Sequence, residues 1–89
     1  MYEVTLNKQA QRLFNKLSGE GFDRIDNCLE LLKTNPRPYG VRKIKGNIHR
    51  IRVGDWRVIY AIHDKDKTVV VGKIARRSED TYDGVKDLF

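Results

Sequence analysis

The feature that most constrains the fold is residues 48–60, which read Ile-His-Arg-Ile-Arg-Val-Gly-Asp-Trp-Arg-Val-Ile-Tyr. Two runs of β-branched, aromatic and basic residues flank a Gly-Asp pair at 54–55, and this pattern predicts a β-hairpin with a two-residue turn. Glycine supplies the positive φ that such a turn requires. Because a two-residue loop fixes the register, the sequence predicts these cross-strand pairs: Val53 with Trp56, Arg52 with Arg57, Ile51 with Val58, and Arg50 with Ile59.

Side chains alternate between the two faces of a strand, so the hairpin has two chemically different faces. The predicted core face carries His49, Ile51, Val53, Trp56, Val58 and Tyr60. The opposite face, named here the arginine face, carries Ile48, Arg50, Arg52, Arg57, Ile59 and Ala61. Like charges directly opposite each other destabilise a strand pair, so three arginines on one face indicate an anion site, most simply for phosphate. The alternative is a solvated face on which arginine stems cover the two isoleucines.

The basic charge of the chain is concentrated in one segment. The net charge is +6, and acidic and basic residues balance before residue 37 and after residue 57. Only Asp55 opposes the basic residues of 37–57, which are Arg37, Arg42, Lys43, Lys45, Arg50, Arg52 and Arg57. Such a segment is typical of proteins that bind a polyanion, usually nucleic acid. A membrane surface is disfavoured because no amphipathic helix carries these residues; a solubility surface or a site for an acidic protein are the alternatives.

The length of 89 residues predicts a single domain over 1–89 with a modest core. No apolar run reaches membrane-spanning length, and the N-terminus lacks a basic segment followed by an apolar one, so we expect a cytoplasmic protein with no membrane partner. Cys28 is the only cysteine, which excludes an internal disulfide and predicts a free, buried thiol. No cysteines and histidines have zinc-ligand spacing, and we expect no metal and no cofactor.

The first third of the chain predicts a strand followed by a helical hairpin. Residues 2–6 alternate and are rich in β-formers, and Asn7 is placed to cap a helix that stops near Gly19. Gly19 and Gly21 predict the turn between the two helices. The second helix ends before Pro36, because the residue before a proline is disfavoured in a helix. Its apolar stripe consists of Phe22, Ile25, Cys28, Leu29 and Leu32.

The segments around the hairpin predict a loop before it and a strand after it. Residues 35–47 contain two prolines and two glycines, and predict a basic loop without regular structure. Residues 68–75 are apolar on both sides, which is typical of a central strand. If Ile62 pairs with Val69, Gly72 leaves room for a ligand on the arginine face. That face would then extend along the last strand through Val70, Gly72, Ile74 and Arg76.

The end of the chain predicts a short helix, for which Ser78 is a suitable cap and Tyr82 lies on the apolar stripe. The predicted order of elements is therefore β-α-α-β-β-β-α. This order predicts an α+β domain with a mainly antiparallel four-stranded sheet, a helical hairpin on one face of the sheet, and a short C-terminal helix.

Several features together resemble the RelE/ParE toxin superfamily of bacterial and archaeal type II toxin–antitoxin systems. They are the order of elements, the loop Asn-Pro-Arg-Pro, the hairpin Arg-Ile-Arg-Val-Gly-Asp-Trp-Arg-Val-Ile-Tyr and the ending Ile-Ala-Arg-Arg-Ser-Glu-Asp-Thr-Tyr. The resemblance covers nearly the whole chain. RelE-type members are ribosome-dependent mRNA endonucleases, whereas ParE-type members inhibit DNA gyrase.

The resemblance implies a set of catalytic residues and a reaction. In the RelE branch, basic residues of the hairpin, an arginine ending the last strand and a nearby tyrosine form the site. The matching residues here are Arg50, Arg52, Arg57, Arg76 and Tyr82. This match favours RelE over ParE, and implies cleavage without metal by attack of the 2′-OH on the adjacent phosphate. Arg57 and Arg76 are expected to stabilise the charge that builds on the phosphoryl oxygens.

One departure from the RelE pattern concerns the general base. RelE-type sites commonly carry lysines where Arg50 and Arg52 stand, and arginine is a poor base because it stays protonated. Tyr82 is the leading candidate for this role, since nearby arginines favour an ionised phenol. His49 is predicted to face the core, and His63 lies at the far end of its strand.

The sequence and the resemblance together predict a RelE-type toxin that cuts mRNA on the ribosome and is held inactive by a cognate antitoxin. The residues expected to contact the RNA backbone are Arg37, Arg42, Lys43, Lys45 and Arg77. The basic toxin is expected to bind an acidic, partly disordered antitoxin segment within a toxin–antitoxin hetero-oligomer. The alternatives are a ParE-type gyrase inhibitor, whose arginine face binds protein, and a basic RNA-binding module without catalysis.

Overall fold

Two helices pack on one face of a five-stranded sheet in the computed structural model, which describes residues 1–76. The elements are β1 (Glu3–Leu6), α1 (Lys8–Lys16), α2 (Gly19–Thr34), β2 (Arg42–Lys45), β3 (Ile48–Val53), β4 (Trp56–His63) and β5 (Thr68–Arg76). The strand order is β1-β5-β4-β3-β2, with β1 parallel to β5 and the other neighbouring pairs antiparallel. The predicted α+β class is confirmed, and the predicted final helix lies outside the described residues.

The described sheet has five strands rather than the predicted four, because β2 forms within residues 35–47. The prediction of a loop is wrong for β2, which pairs antiparallel with β3 and places Arg42 opposite Arg50. The prolines and glycines that predict a loop flank this strand instead of interrupting it, and Gly46 forms the β2–β3 turn with a φ of +55°. A short, basic edge strand of this kind disfavours pairing with other chains.

Local chemistry determines where the two helices begin. The predicted cap of α1 is confirmed, since the side-chain oxygen of Asn7 accepts a hydrogen bond of 2.9 Å from the backbone N–H of Ala10. The predicted break between the helices near Gly19 is confirmed, since α2 begins at Gly19, but the prediction that Gly21 belongs to the turn is wrong, because it lies within α2. Only residues 17–18 lie between the two helices. Gly19 begins α2 with a φ of +59°, which glycine adopts at little steric cost.

The core lies between the two helices and the core face of the hairpin, whose predicted register is confirmed throughout. Its buried side chains from these elements are Ala10, Ile25, Cys28, Leu29, Leu32, Ile51, Val58, Tyr60 and Ile62. Burying one large apolar side chain stabilises a fold by roughly 1.5–3 kcal/mol. The predicted buried, free thiol is also confirmed, since Cys28 has no disulfide partner and burial raises its pKa to about 11.

A bulge at Gly72 makes the predicted faces of β5 wrong in its second half. The predicted pairing of Ile62 with Val69 is confirmed, but Gly72 is an extra residue that lies between two otherwise regular stretches of the β4–β5 ladder. Because side chains alternate with a period of two, one extra residue exchanges the faces of all that follow. The exchange places Lys73 and Ala75 on the arginine face, and Ile74 and Arg76 on the core face.

The start of α1 is docked directly onto this bulge. The side-chain amide of Asn7 donates a hydrogen bond of 2.9 Å to the carbonyl oxygen of Gly72, and the backbone N–H of Asn7 donates one of 3.0 Å to Val71. A buried carbonyl without a donor is costly, and Gly72 is buried. Asn7 therefore caps α1 and satisfies the irregular backbone of β5 at the same time.

Candidate nucleic-acid interface

The three hairpin arginines lie together on the arginine face, as the sequence predicts. Arg52 on β3 is directly opposite Arg57 on β4, and Arg50 lies two residues before Arg52 and therefore on the same face. The neighbouring strands add three basic residues to this face, which are Arg42 opposite Arg50, Lys45 opposite Ile48, and Lys73 opposite Ile59. Guanidinium groups can bind a phosphate with two donors each. The arrangement is therefore suited to a chain of phosphates.

The centre of the arginine face is apolar and buried. Ile59 has no exposed surface, and Ala61 and Ala75 are almost fully buried. Arg50 and Arg57 are half-buried beside them, whereas Arg52 is exposed. Charges at the edge of buried apolar surface act in a lower effective dielectric than bulk water, which strengthens their attraction for an anion.

The structure does not bring Arg76 to the arginine face. Arg76 ends β5 opposite Trp56, and its guanidinium carbon lies 4.7 Å from the centroid of the Trp56 ring. This is the geometry of a cation–π interaction. The prediction that Arg76 extends the arginine face is wrong, and the physical reason is the extra residue at Gly72. Two other predicted site residues, Arg77 and Tyr82, lie outside the described residues.

The two lysines of β2 have different positions although the sequence predicts the same role for both. Lys45 pairs with Ile48 and lies on the arginine face, whereas Lys43 pairs with His49 and lies on the opposite side of the sheet. A register irregularity between the two lysines produces this separation. Both side chains are exposed, but only Lys45 extends the arginine face.

Arg37, which is predicted to contact RNA, pairs with a carboxylate instead. Its guanidinium donates two hydrogen bonds, of 2.9 and 3.2 Å, to the carboxylate of Asp64, which also accepts one of 2.6 Å from the Tyr2 hydroxyl. The hydrogen bonds from Arg37 and Tyr2 lower the pKa of Asp64 to about 2. Asp64 follows the end of β4, on the order of 20 Å along the strand from Arg57. Arg37 therefore holds the loop after α2 against the β4–β5 turn.

Neither histidine has its side chain beside those of the hairpin arginines. His49 is buried on the core face, as predicted, where its Nδ1 is 2.9 Å from the carbonyl oxygen of Asn47 and its ring stacks on Tyr60 with centroids 6.0 Å apart. His63 is exposed at the far end of β4, also as predicted. The structure thus gives neither imidazole a position from which it could take a proton beside Arg57.

Tyr39 was not among the predicted site residues, although it lines a surface cleft together with three arginines that were. A cleft of about 430 Å³ is lined by Tyr39, Gly40, Arg42, Arg50, Ile51 and Arg52. Tyr39 is fully exposed, although large aromatic side chains are usually mostly buried. An aromatic residue inside a basic segment is the sequence signal that could have indicated this cleft.

The sequence matches one protein family over most of its length. A family model described as "ParE toxin of type II toxin-antitoxin system, parDE" matches residues 4–81. The chain belongs to this toxin family. The toxin is 28 % identical over 81 residues to a protein named as toxin RelE1 from Methanocaldococcus jannaschii, and the match covers 85 % of this chain and 90 % of that protein.

Solved structures share the fold of the toxin. The RelE–RelB complex from Pyrococcus horikoshii OT3 matches with a TM-score of 0.79 and 29 % identity, over 88 % of this chain and 97 % of that chain. The isolated RelE toxin of E. coli matches over the full length of both chains with a TM-score of 0.75 and 21 % identity, which shows the fold alone. The predicted membership of the RelE/ParE superfamily is confirmed. Within residues 1–76 the toxin has no helix that is long and apolar enough to cross a membrane.

Proposed function

We propose that this toxin is a ribosome-dependent mRNA endonuclease of the RelE type. The observation that carries the proposal is the direct opposition of Arg52 and Arg57, with Arg50 on the same face. Guanidinium groups bind phosphate oxygens with two donors each, so opposed arginines on one face suit an anion that carries extra negative charge. An RNA phosphate that gains negative charge during cleavage is such an anion.

The proposed reaction needs no metal. The 2′-oxygen of a ribose attacks the adjacent phosphorus atom while its proton passes to a general base. The bond between phosphorus and the 5′-oxygen of the next nucleotide breaks, and this oxygen takes up a proton, which leaves a 2′,3′-cyclic phosphate and a 5′-hydroxyl. Arg57 stabilises the charge on the phosphoryl oxygens, and Arg50 and Arg52 hold the neighbouring backbone.

The resemblance to RelE supports Tyr82 as the general base. The arginines stay protonated and cannot accept the proton, and His49 faces the core. Cations close to a phenol favour its ionised form, which is the form that accepts a proton. Arg76 has no role at the phosphate in this proposal, because β5 places it beside Trp56 on the core face.

We further propose that an antitoxin holds the toxin inactive by covering the arginine face. The neighbour from Pyrococcus horikoshii is a RelE–RelB complex, and the E. coli RelBE neighbour is a toxin–antitoxin complex. The net charge of +6 favours an acidic partner segment. A disordered segment that folds on binding can wrap such a surface. The ribosome and its bound message are the other proposed partners of this surface.

A ParE-type inhibitor of DNA gyrase is the second candidate, since the matching family model is named after the ParE toxin. In that case the arginine face binds protein rather than RNA. A basic RNA-binding module without catalysis is the third candidate, and it would bind message without breaking it.

Primer extension on a translated message after induction of the toxin distinguishes the three candidates. The proposal predicts breaks in phase with codons, with 5′-hydroxyl ends that a polynucleotide kinase labels without prior phosphatase treatment. An Arg57→Ala variant produced at the same level is expected to give no such breaks. An intact message together with altered plasmid supercoiling would instead indicate gyrase inhibition, and an intact message with unaltered supercoiling would favour the module without catalysis.

A further inference from the structure

Tyr39 is an exposed aromatic residue on a loop whose backbone is held in place. The buried hydroxyl of Tyr60 donates a hydrogen bond of 2.8 Å to the carbonyl oxygen of Pro36. The backbone N–H of Arg37 donates to the side chain of Asn35 at 3.1 Å, and the N–H of Val41 donates to Pro38 at 3.1 Å. The backbone that carries the exposed ring is therefore fixed, which limits the entropy that the loop loses when the ring binds a ligand.

The ion pair of Arg37 with Asp64 also holds this loop from outside. The guanidinium makes its two hydrogen bonds to a carboxylate that lies beyond the loop, at the β4–β5 turn. The loop is thus fixed to the core through Tyr60 and to the sheet's end through Asp64. Neither contact involves the Tyr39 ring, which leaves both of its faces accessible.

The surroundings of Tyr39 indicate the chemistry of its ligand. The cleft that it lines also contains Arg42, Arg50 and Arg52, and among residues 1–76 no acidic residue lines it. An aromatic surface beside several arginines is the arrangement with which proteins bind single-stranded nucleic acid, because the ring stacks on an unpaired base while the cations bind phosphates. A duplex would not offer a free base to the ring.

We propose that Tyr39 is a stacking platform for one nucleobase of a single-stranded RNA whose adjacent phosphates are bound by Arg42 and Arg50. The platform lies beside the arginine face and positions the strand along it. This inference rests on the proposed function, because it takes RNA as the ligand of that face. Tyr39 does not touch the reacting atoms in this arrangement; it is a positioning residue.

Binding of short 2′-O-methyl RNA to the full-length toxin tests the platform, since this RNA lacks the attacking 2′-OH and stays intact. The RNA carries a fluorescent label and is compared with matched strands in which one nucleotide at a time is abasic. Tyr39→Ala is expected to weaken binding of the complete strand by about tenfold, the scale of losing one stacked base. With the abasic nucleotide at the platform, the same substitution should have almost no effect.

Two further variants separate stacking from other roles. Tyr39→Phe and Tyr39→Trp keep an aromatic face, and their affinity for the complete strand should stay near that of the wild type. Arg42→Ala should weaken binding of the complete and abasic strands equally and reduce the salt dependence, because it removes a phosphate contact. The circular dichroism spectrum of each variant verifies that the fold is retained.

The platform would be refuted if Tyr39→Ala weakened all strands equally, or left the binding of every strand unchanged. Unchanged RNA binding combined with weaker antitoxin binding would likewise refute it and assign Tyr39 to a protein interface. Base-dependent losses without codon-phased breaks in the primer-extension experiment would support the platform and refute the endonuclease proposal. The two proposals can therefore fail independently.

Discussion

Arg52 on β3 and Arg57 on β4 are directly opposed partners in the hairpin, with both side chains on the arginine face. Opposed like charges oppose strand pairing. The same pairing places two arginine side chains on one face of the sheet, and guanidinium groups bind phosphate well. A substitution at this pair should therefore change RNA binding and cleavage without disrupting the fold.

Arg57→Ala is expected to lower the single-turnover rate of mRNA cleavage on ribosomes by roughly 10²-fold, the scale of losing one preorganised donor. Arg76→Ala is the matched control, because it removes the same charge from the core face, beside Trp56. Its cleavage rate should stay near that of the wild type. Equal losses for both variants would show that the arginine face does not define the site.

Lys45→Ala is expected to weaken RNA binding and to reduce the slope of log affinity against log salt by about one, because it removes one phosphate contact. Lys43→Ala removes the same charge from the same strand, but on the other side of the sheet. It should change neither the affinity nor the slope appreciably. Salt titrations of both variants check this prediction, and a larger effect at Lys43 would contradict it.

Tyr82→Phe is expected to lower the chemical step by roughly 10²- to 10⁴-fold if the hydroxyl accepts the proton. Ribosome binding should remain near that of the wild type, because no charge is removed. The single-turnover rate at saturating toxin, measured across pH, is the decisive measurement. A nearly unchanged rate would remove Tyr82 from the reaction and make its role one of packing.

Asp64→Asn is expected to destabilise the protein in a pH-dependent way. The folded-state pKa of Asp64 is lowered to about 2, below the value of about 3.9 for an unfolded chain. The stabilisation by ionised Asp64 is therefore complete above the unfolded value and is lost as the pH falls towards 2. The difference between the free energies of unfolding of wild type and variant, measured with urea, should shrink as the pH is lowered from neutral to acidic. Asp66→Asn changes the same charge in the same turn, and serves as the control.

Asn7→Ala is expected to reduce the free energy of unfolding by about 1 kcal/mol or more, because it removes the helix cap. The same substitution leaves the carbonyl of the Gly72 bulge without its side-chain donor. Asn15→Ala is the control within the same helix. Loss of this exposed side chain should change the free energy of unfolding by less than about 0.5 kcal/mol. Equal losses in urea unfolding would mean that the bulge does not depend on Asn7.

Features that depend on neighbouring residues can be predicted from the sequence. The register of the hairpin follows from a two-residue turn, and Asn7 caps α1 from three residues away. The apolar stripe of α2 and the faces of β3 follow from side-chain periodicity. These interactions span a few residues, so the local pattern contains the information needed to predict them.

Features that depend on distant partners arise only when the separate elements pack together. Arg37 binds Asp64 across 27 positions in the sequence, and β2 exists because β3 offers it an edge to pair with. The bulge at Gly72 moved Arg76 from the predicted face to the opposite one, since one extra residue exchanges every later side chain. Its backbone is held by Asn7, which is 65 positions away. Such pairings depend on how separate elements pack, and no local pattern in the sequence encodes them.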